Sequence, residues 1–278
     1  MTVQALPGLP AFPPKNSPHK KRWYQPTFSP EHGVLLVLLG AILTGASVAV
    51  DWTGDTSWAC LAAFLALQAE HPVIVQVKQR RRWRPRYCVW AGVYGSAALA
   101  IALWLSFQHP VLFWIVGAGV LALGLDVFSI FQHSHKAVAN EIVMFSAICL
   151  STLFVFGATT DTITTQALGM WLLNSLFFGG AVFSVKLRKK KTRSLKAGFI
   201  YHGVAIALVA ALYAIGWLSL FTALVFAVAL LKLAVITCWQ NWYRTCRFEH
   251  IARFETYFAL SYTFLAALTV LPPKLPPA

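Results

Sequence analysis

Residues 163–193 have the sequence ITTQALGMWLLNSLFFGGAVFSVKLRKKKTR, in which an apolar run long enough to cross a bilayer ends in a dense basic cluster. The same arrangement recurs along the chain. Of the 23 Lys and Arg residues, 21 precede the first apolar run or follow the second, fourth, sixth and eighth. The intervening loops hold Asp51, Asp55 and Asp161 and no Lys or Arg. Because basic loops stay cytoplasmic, the alternation predicts a multi-pass protein with a cytoplasmic N-terminus.

Nine apolar runs have roughly the 20 residues that a transmembrane helix needs. We therefore predict an all-α, polytopic transmembrane helix bundle over residues 31–272. A Pro-rich basic cytoplasmic tail (1–30) precedes it, because its prolines prevent regular helix, and a short extracytoplasmic tail (273–278) follows it. The predicted spans are 33–50, 56–77, 87–107, 110–131, 138–158, 163–185, 196–215, 217–240 and 252–271.

The composition agrees with this fold class. The chain is 58% hydrophobic and 12% charged, whereas a soluble domain has about 25% charged residues. The net charge of +14 does not indicate nucleic acid binding, because the basic clusters flank apolar runs and no groove-reading motif is present. Anionic lipid headgroups at the cytoplasmic face are the expected partner of such loops. The five cysteines show no disulfide or zinc-binding spacing.

Ionisable side chains lie toward the cytoplasmic ends of the predicted spans. A charged side chain deep in the bilayer costs free energy, so each of these residues needs an explanation. In one bundle these groups would converge on a cavity open to the cytoplasm. The candidate catalytic residues are Glu70, His71, Asp126 and Glu141. The candidate substrate-binding residues are Glu31, His32, Asn174, Lys232, Arg80 and Arg188.

Three Glu-His dipeptides, 31–32, 70–71 and 249–250, raise the question of a divalent metal. Carboxylate and imidazole together suit Zn, Fe or Mn, although the spacing matches no metal-ligand motif. The alternative is an interfacial polar ring in which carboxylates offset nearby Lys and Arg. The candidate metal ligands are His133, His135, His202, Glu249 and His250.

Three polar residues lie deeper in the predicted spans. Asp126 and Lys232 are expected to pair with each other across the bundle. Asn174, which has Gly179 and Gly180 as small neighbours, is expected to form interhelical hydrogen bonds.

Short motifs resemble those of the YwiC-like family of bacterial membrane proteins. Pro30-Glu31-His32-Gly33 leads into the first span, Ala69-Glu70-His71-Pro72 precedes the basic loop that ends Trp83-Arg84-Pro85-Arg86, and Asn174 to Arg188 is compatible. The resemblance implies a polytopic protein of the bacterial inner membrane or an internal photosynthetic membrane. It implies no established activity.

The predicted topology is also similar to that of the UbiA-type prenyltransferases, nine-helix bundles with a cytoplasm-facing cavity. That family holds Mg²⁺ and a prenyl diphosphate with Asp-rich motifs after helices two and six. The corresponding places here carry Gln68-Ala69-Glu70 and a Lys/Arg run, and neither Asn-Asp-x-x-Asp nor Asp-x-x-x-Asp is present. The comparison is one of topology alone.

Three functions fit these patterns. The first is an intramembrane enzyme acting on a lipid-like substrate of the isoprenoid or quinone type, with its head near the candidate catalytic residues and the basic loops attracting an anionic head. The second is a small-solute transporter, which needs polar groups near the midplane; Asn174, Asp126 and Lys232 approach that depth. The third is a non-catalytic assembly or anchoring protein whose polar ring is structural.

Overall fold

A computed structural model describes residues 24–29, 32–79, 84–132, 134, 136–188 and 194–271. Helices joined by turns make up the described chain, which contains no strand. The helices are α1 (His32–Ala49), α2 (Gly54–Lys78), α3 (Pro85–Gln108), α4 (Leu112–Phe131), α5 (Val138–Thr160), α6 (Thr165–Lys186), α7 (Lys196–Ala214), α8 (Leu220–Leu224), α9 (Ala227–Cys238), α10 (Gln240–Thr245) and α11 (Phe248–Val270).

The helices confirm the prediction of a polytopic helical bundle. Within the described ranges, eight segments are long and apolar enough to cross a membrane: α1 to α7, and α8 with α9 as one segment over Leu220–Cys238. They correspond to the first eight predicted spans. The ninth, 252–271, lies in the 23-residue α11. This helix is not among the eight, so its crossing of the bilayer stays a prediction.

Local sequence explains where several helices begin and end. The Thr53 hydroxyl accepts a hydrogen bond from the Thr56 amide at the start of α2, and the Thr56 side chain accepts one from the Thr53 amide in return. Thr164 caps α6 in the same position. Gly216 has a φ of +77° in the turn after α7, a backbone conformation that favours glycine.

The centre of the bundle is formed by α1, α5, α6 and α11: α1 packs on the other three, and α5 packs extensively on α6. Small residues permit this packing. A Cβ atom on Gly45 of α1 would lie 2.5 Å from the carbonyl oxygen of Thr152 in α5. A Cβ atom on Gly40 would lie 2.7 Å from the hydroxyl of Thr263 in α11. Glycine is therefore required where α1 meets its neighbours.

Polar contacts confirm that the connections alternate between two ends of the bundle. At one end, His109 lies between two carboxylates: its Nε2 is 3.2 Å from Asp55 Oδ2, and its Nδ1 is 3.1 Å from Asp161 Oδ1. These contacts join the α1–α2, α3–α4 and α5–α6 connections. The other end, where α2, α4 and α6 end and described basic residues such as Arg84, Lys186 and Arg188 lie, is called the basic end below.

Candidate functional site

A cavity of about 390 Å³ lies between α2, α3, α4 and α5 and is called the lateral cavity below. Its volume falls in the range of small-molecule sites, roughly 300–1,000 Å³. The walls are almost entirely apolar and contain many Ala and Gly residues. They include Ala62, Ala66, Leu67, Glu70, Gly95, Ala98, Leu99, Ala102, Ile115, Gly119, Val120, Leu123, Met144, Ala147, Ile148, Ser151 and Phe154.

The lateral cavity opens toward the lipid between α3 and α4. Three of its lining residues, Leu99 on α3 and Val120 and Leu123 on α4, are 48%, 61% and 36% exposed. Whereas α2 packs closely against α3, contacts between α3 and α4 are sparse. An apolar opening at this position faces bilayer hydrocarbon, so it is accessible to an apolar ligand from within the membrane.

Glu70 is the one charged side chain among the described residues that line the lateral cavity. It is half-buried and lies on α2, eight residues before Lys78 at the basic end of that helix. At 1.5 Å per residue it is about 12 Å along the helix from that end. A carboxylate at this depth, beside an apolar space, is a candidate for binding or chemistry.

The other three candidate catalytic residues do not line the lateral cavity as described. His71 is half-buried on the next position of α2. Asp126 on α4 accepts a hydrogen bond from Asn140 Nδ2 on α5 (2.7 Å). Glu141 on α5 lies 2.8 Å from the ammonium of Lys186 at the end of α6.

The described inner ionisable groups do not all line the lateral cavity, so their convergence on one site stays a prediction. Asp126 and Glu141 instead connect α4, α5 and α6, and Lys186 also donates to the carbonyl of Lys136 (2.8 Å). These contacts hold helices together, because each satisfies a polar group that would otherwise be unpaired near lipid.

The predicted pairing of Asp126 with Lys232 is wrong, because each side chain has another partner. Lys232 on α9 is 3% exposed, and its ammonium lies 3.1 Å from Glu255 Oε2 on α11. Tyr243 on α10 donates to the other oxygen of Glu255 (2.8 Å). Asp126 and Lys232 lie at similar depths along their helices. However, α4 packs on α2, α3 and α5, whereas α9 packs on α6, α7, α10 and α11.

Tyr243, outside the membrane-spanning segments, is fully buried in this second cluster. Burial raises the pKa of its hydroxyl, and the adjacent Glu255 carboxylate raises it further. The phenol therefore stays protonated and continues to donate to Glu255 at ordinary pH. The Lys232–Glu255–Tyr243 cluster is accordingly a hydrogen-bonded connection between α9, α10 and α11.

Asn174 forms the interhelical hydrogen bonds that the sequence predicts. Its amide nitrogen donates to Thr44 Oγ1 on α1 (2.8 Å) and to Thr152 Oγ1 on α5 (2.9 Å), and its oxygen accepts from Tyr262 on α11 (2.8 Å). Asn174 is 0% exposed. Its side-chain polar atoms thus bond to the other three central helices, which is a structural arrangement rather than an open binding site.

The remaining candidates are dispersed. His202 is buried on α7, with Nδ1 2.8 Å from the Gly198 carbonyl oxygen. His32, Glu249 and His250 are exposed, and Arg188 donates to the Cys246 carbonyl (2.7 Å). Glu31, Arg80, His133 and His135 lie outside the described residues.

Within the described part, no three His, Cys, Asp or Glu side chains are grouped so that they could hold a metal ion. The metal site stays a prediction.

Two features of the structure had no counterpart in the sequence reasoning. The first is the segment 24–29, which is tied to the basic end: the Arg86 guanidinium donates to the carbonyls of Gln25 (2.7 Å) and Pro26 (2.6 Å), and the Ser29 amide donates to Gln68 Oε1 (3.0 Å). The second is the His109 bridge. The sequence feature that could have identified His109 is its position beside Pro110, in a short turn between two predicted spans.

Comparison with known families supports the resemblance over the first half of the chain. The family model described as YwiC-like protein matches residues 28–156. The matched region contains α1 to α4, most of α5 and all of the described lining of the lateral cavity. Asn174 to Arg188 lies outside it. No curated protein and no solved structure matches the chain, so the topological comparison with UbiA-type prenyltransferases is not shown.

Proposed function

We propose that this multi-pass membrane protein, whose residues 28–156 match the model of the YwiC-like family, is an intramembrane enzyme acting on a lipid-like substrate of the isoprenoid or quinone type. The substrate tail occupies the lateral cavity, and its head lies toward the cytoplasmic face beside Glu70. The observation that carries the proposal is an apolar cavity open to lipid with one carboxylate in its wall. The membrane is the bacterial inner membrane or an internal photosynthetic membrane.

Glu70 has the chemistry that such a reaction needs. A carboxylate within hydrogen-bond reach of a hydroxyl or amine head accepts or returns a proton as a general base or acid. The apolar walls exclude water, which strengthens electrostatic interactions with the head. The basic loops at the same end attract anionic headgroups of the surrounding bilayer.

Filling the cavity tests whether it holds the substrate. Gly119→Phe places a large side chain in the lateral cavity, since a Cβ at Gly119 meets no atom within 4 Å. Gly117→Phe is the matched control: it is on the same helix, meets no atom within 4 Å either, and is exposed outside the cavity. Mass spectrometry of purified protein should show a co-purifying isoprenoid or quinone lipid in wild type and Gly117→Phe and lose it in Gly119→Phe. Equal lipid in both variants contradicts the proposal.

Removing the carboxylate tests the chemistry. Glu70→Gln should leave the substrate bound but change the isoprenoid and quinone profile of whole membranes, because the proton acceptor is lost. Glu249→Gln is the control, since it removes an exposed carboxylate from the start of α11. An unchanged lipid profile in Glu70→Gln, with wild-type protein level, counts against an enzyme.

A second function, non-catalytic assembly or anchoring, is favoured by a different observation. The described charged pairs at the basic end, Glu141 with Lys186 and Glu255 with Lys232, connect helices rather than line the lateral cavity. If this function holds, a cell carrying Glu70→Gln and Gly119→Phe should match wild type in lipid profile and growth, whereas variants that break these pairs should fail.

A further inference from the structure

We infer that the His109 bridge, formed by His109, Asp55 and Asp161, is a proton-binding site that makes the packing at its end of the bundle depend on pH. On the predicted orientation this end faces the extracytoplasmic side, so the proton comes from outside the cytoplasm. The bridge lies apart from the described lining of the lateral cavity, and the inference goes beyond the proposed function without depending on it.

The first argument is the geometry of the imidazole ring. Both of its nitrogens face carboxylate oxygens: Nδ1 is 3.1 Å from Asp161 Oδ1, and Nε2 is 3.2 Å from Asp55 Oδ2. A neutral imidazole carries a hydrogen on one nitrogen and a lone pair on the other, and an ionised carboxylate can only accept. The two hydrogen bonds therefore require one proton more than a neutral histidine and two carboxylates possess. With that proton on the ring, both nitrogens donate.

The second argument is the charge around the bridge. The described connections at this end, residues 50–53, 109–111, 161–164 and 215–219, contain no Lys or Arg. Asp55 lies in the first turn of α2, and Asp51 nearby in the chain accepts a hydrogen bond from the Trp52 amide (2.7 Å). A protonated His109 is therefore the one cation that these connections can supply to the two carboxylates it contacts.

The third argument is the position of the ring between a fixed frame and solvent. The hydroxyls of Thr56 on α2 and Thr159 on α5 lie 2.7 Å apart, so these two helices are joined by a contact that does not titrate. The His109 side chain is 17% exposed and that of Asp161 60%, so the proton reaches a largely buried ring from the outer solution. The proton thus controls how the α3–α4 turn is attached to the frame.

The direction of the pH dependence follows from these contacts. When the proton leaves, one ring nitrogen presents a lone pair to a carboxylate oxygen, and that hydrogen bond is replaced by repulsion. The contribution of the bridge to stability is therefore present at low pH and lost as the pH rises. Because α3 and α4 form two walls of the lateral cavity, the pH outside the cytoplasm determines how firmly the outer ends of those walls are held.

Asp161→Asn tests whether a proton is required. Asparagine tolerates the left-handed backbone of this position, where φ is +57°, and its amide can donate where a carboxylate only accepts. A neutral His109 then satisfies both contacts, accepting at Nδ1 from the substituted side chain and donating at Nε2 to Asp55. The comparison is made at about pH 5.5 and about pH 8.5, on either side of the range in which histidine ordinarily changes charge.

Two measurements on the full-length protein in detergent give the answer. The first is the thermal unfolding midpoint, and the second is hydrogen exchange of residues 105–113, corrected for the intrinsic effect of pH. Wild type should exceed the non-titrating His109→Gln by about 2–4 °C at the lower pH, a shift typical of one net hydrogen bond, and lose this advantage at the higher pH. Its α3–α4 turn should lose protection in parallel, whereas Asp161→Asn should keep the turn protected at both pH values.

Asp51→Asn is the matched control, because it removes a carboxylate from the same end whose hydrogen bond is to the Trp52 amide. It should follow wild type. An equal difference between wild type and His109→Gln at both pH values overturns the inference and leaves His109 as a contact without a bound proton. The inference also fails if Asp161→Asn responds to pH as wild type does, or if Asp51→Asn abolishes the response, since general surface charge would then explain it.

Discussion

Gly45 shows how one residue sets the distance between two central helices. A Cβ there would lie 2.5 Å from the Thr152 carbonyl oxygen and 2.9 Å from the Thr152 Cα, both backbone atoms that cannot rotate away. We expect Gly45→Ala to push α1 from α5 and lower the free energy of unfolding by about 1–3 kcal/mol. Gly117→Ala, with no atom within 4 Å, should be neutral or slightly stabilising. Thermal unfolding in detergent measures both, and equal midpoints would contradict the packing argument.

Asn174 and Tyr262 form a pair whose interaction can be measured separately from the helix packing. Tyr262→Phe removes the hydroxyl that donates to Asn174 and keeps the ring stacked on Phe177, whose centroid is 3.7 Å away. In a double-mutant cycle with Asn174→Leu, we expect a coupling of about 1 kcal/mol, typical of interhelical hydrogen bonds in membranes. Strictly additive unfolding free energies would show that the hydrogen bond contributes no stability.

For single residues, the sequence predicted which side chains form interhelical contacts better than it predicted which residues they contact. Asn174 stands out because an amide in an apolar run needs hydrogen bonds, and small neighbours allow a helix to approach. The partner of Asp126 could not be predicted, because Asn140 and Lys232 lie at comparable depth and only the packing order of the helices separates them. Glu70 was identified from its cost in the bilayer, but not from any motif that specifies a cavity.

At the scale of helices, the ion pair of Lys232 with Glu255 connects α9 to α11, and its contribution to stability can be measured by substitution. The Lys232 side chain is 4% exposed and that of Glu255 21%. Lys232→Met leaves a carboxylate without its counterion, and we expect a loss of about 3 kcal/mol in unfolding free energy. Lys232→Met with Glu255→Gln should recover part of that loss, because no unpaired charge remains. A double variant as unstable as the sum of the single variants would contradict this, measured by thermal unfolding in detergent.

Helix positions were predictable from sequence because a span requires a run of apolar residues of fixed length. The division of the eighth span into α8 and α9 was not. The backbone turns at Val225 and Phe226 with hydrogen bonds between residues three apart, yet neither Gly nor Pro marks the place. α10 was missed for a similar reason: a six-residue helix is too short to give a periodic pattern.

For the whole molecule, the location of the C-terminus depends on whether α11 crosses the membrane. Its first half carries Glu249, Arg253 and Glu255, and its second half carries no charged residue. We expect it to cross, because it packs against α1 at the centre of the bundle. Alkaline phosphatase fused after Ala278 should then be active and green fluorescent protein dark, with the reverse for fusions after Arg247. If alkaline phosphatase is inactive and green fluorescent protein is fluorescent at both sites, the C-terminus lies in the cytoplasm and α11 does not cross the membrane.

The lateral cavity is a property of the whole molecule that no local pattern predicts. It exists because α3 packs on α2 and α4 packs on α5 while the two contact each other little. Its small lining residues are spread over four helices, where each also has an ordinary packing explanation. Sequence reasoning placed one cavity among all the ionisable groups, whereas the structure separates Glu70 from the Lys232–Glu255–Tyr243 cluster in the other half of the bundle.

The bridge at His109 has a directional consequence. It ties the α3–α4 turn to Asp55 and Asp161, and α3 and α4 are continuous helices beyond it. The two helices are therefore joined at the outer surface, and we expect any widening of the gap between them to be greatest toward the inner leaflet. Molecules that dissolve in the inner leaflet would reach Glu70 by sideways diffusion, without first leaving the membrane in which they were made.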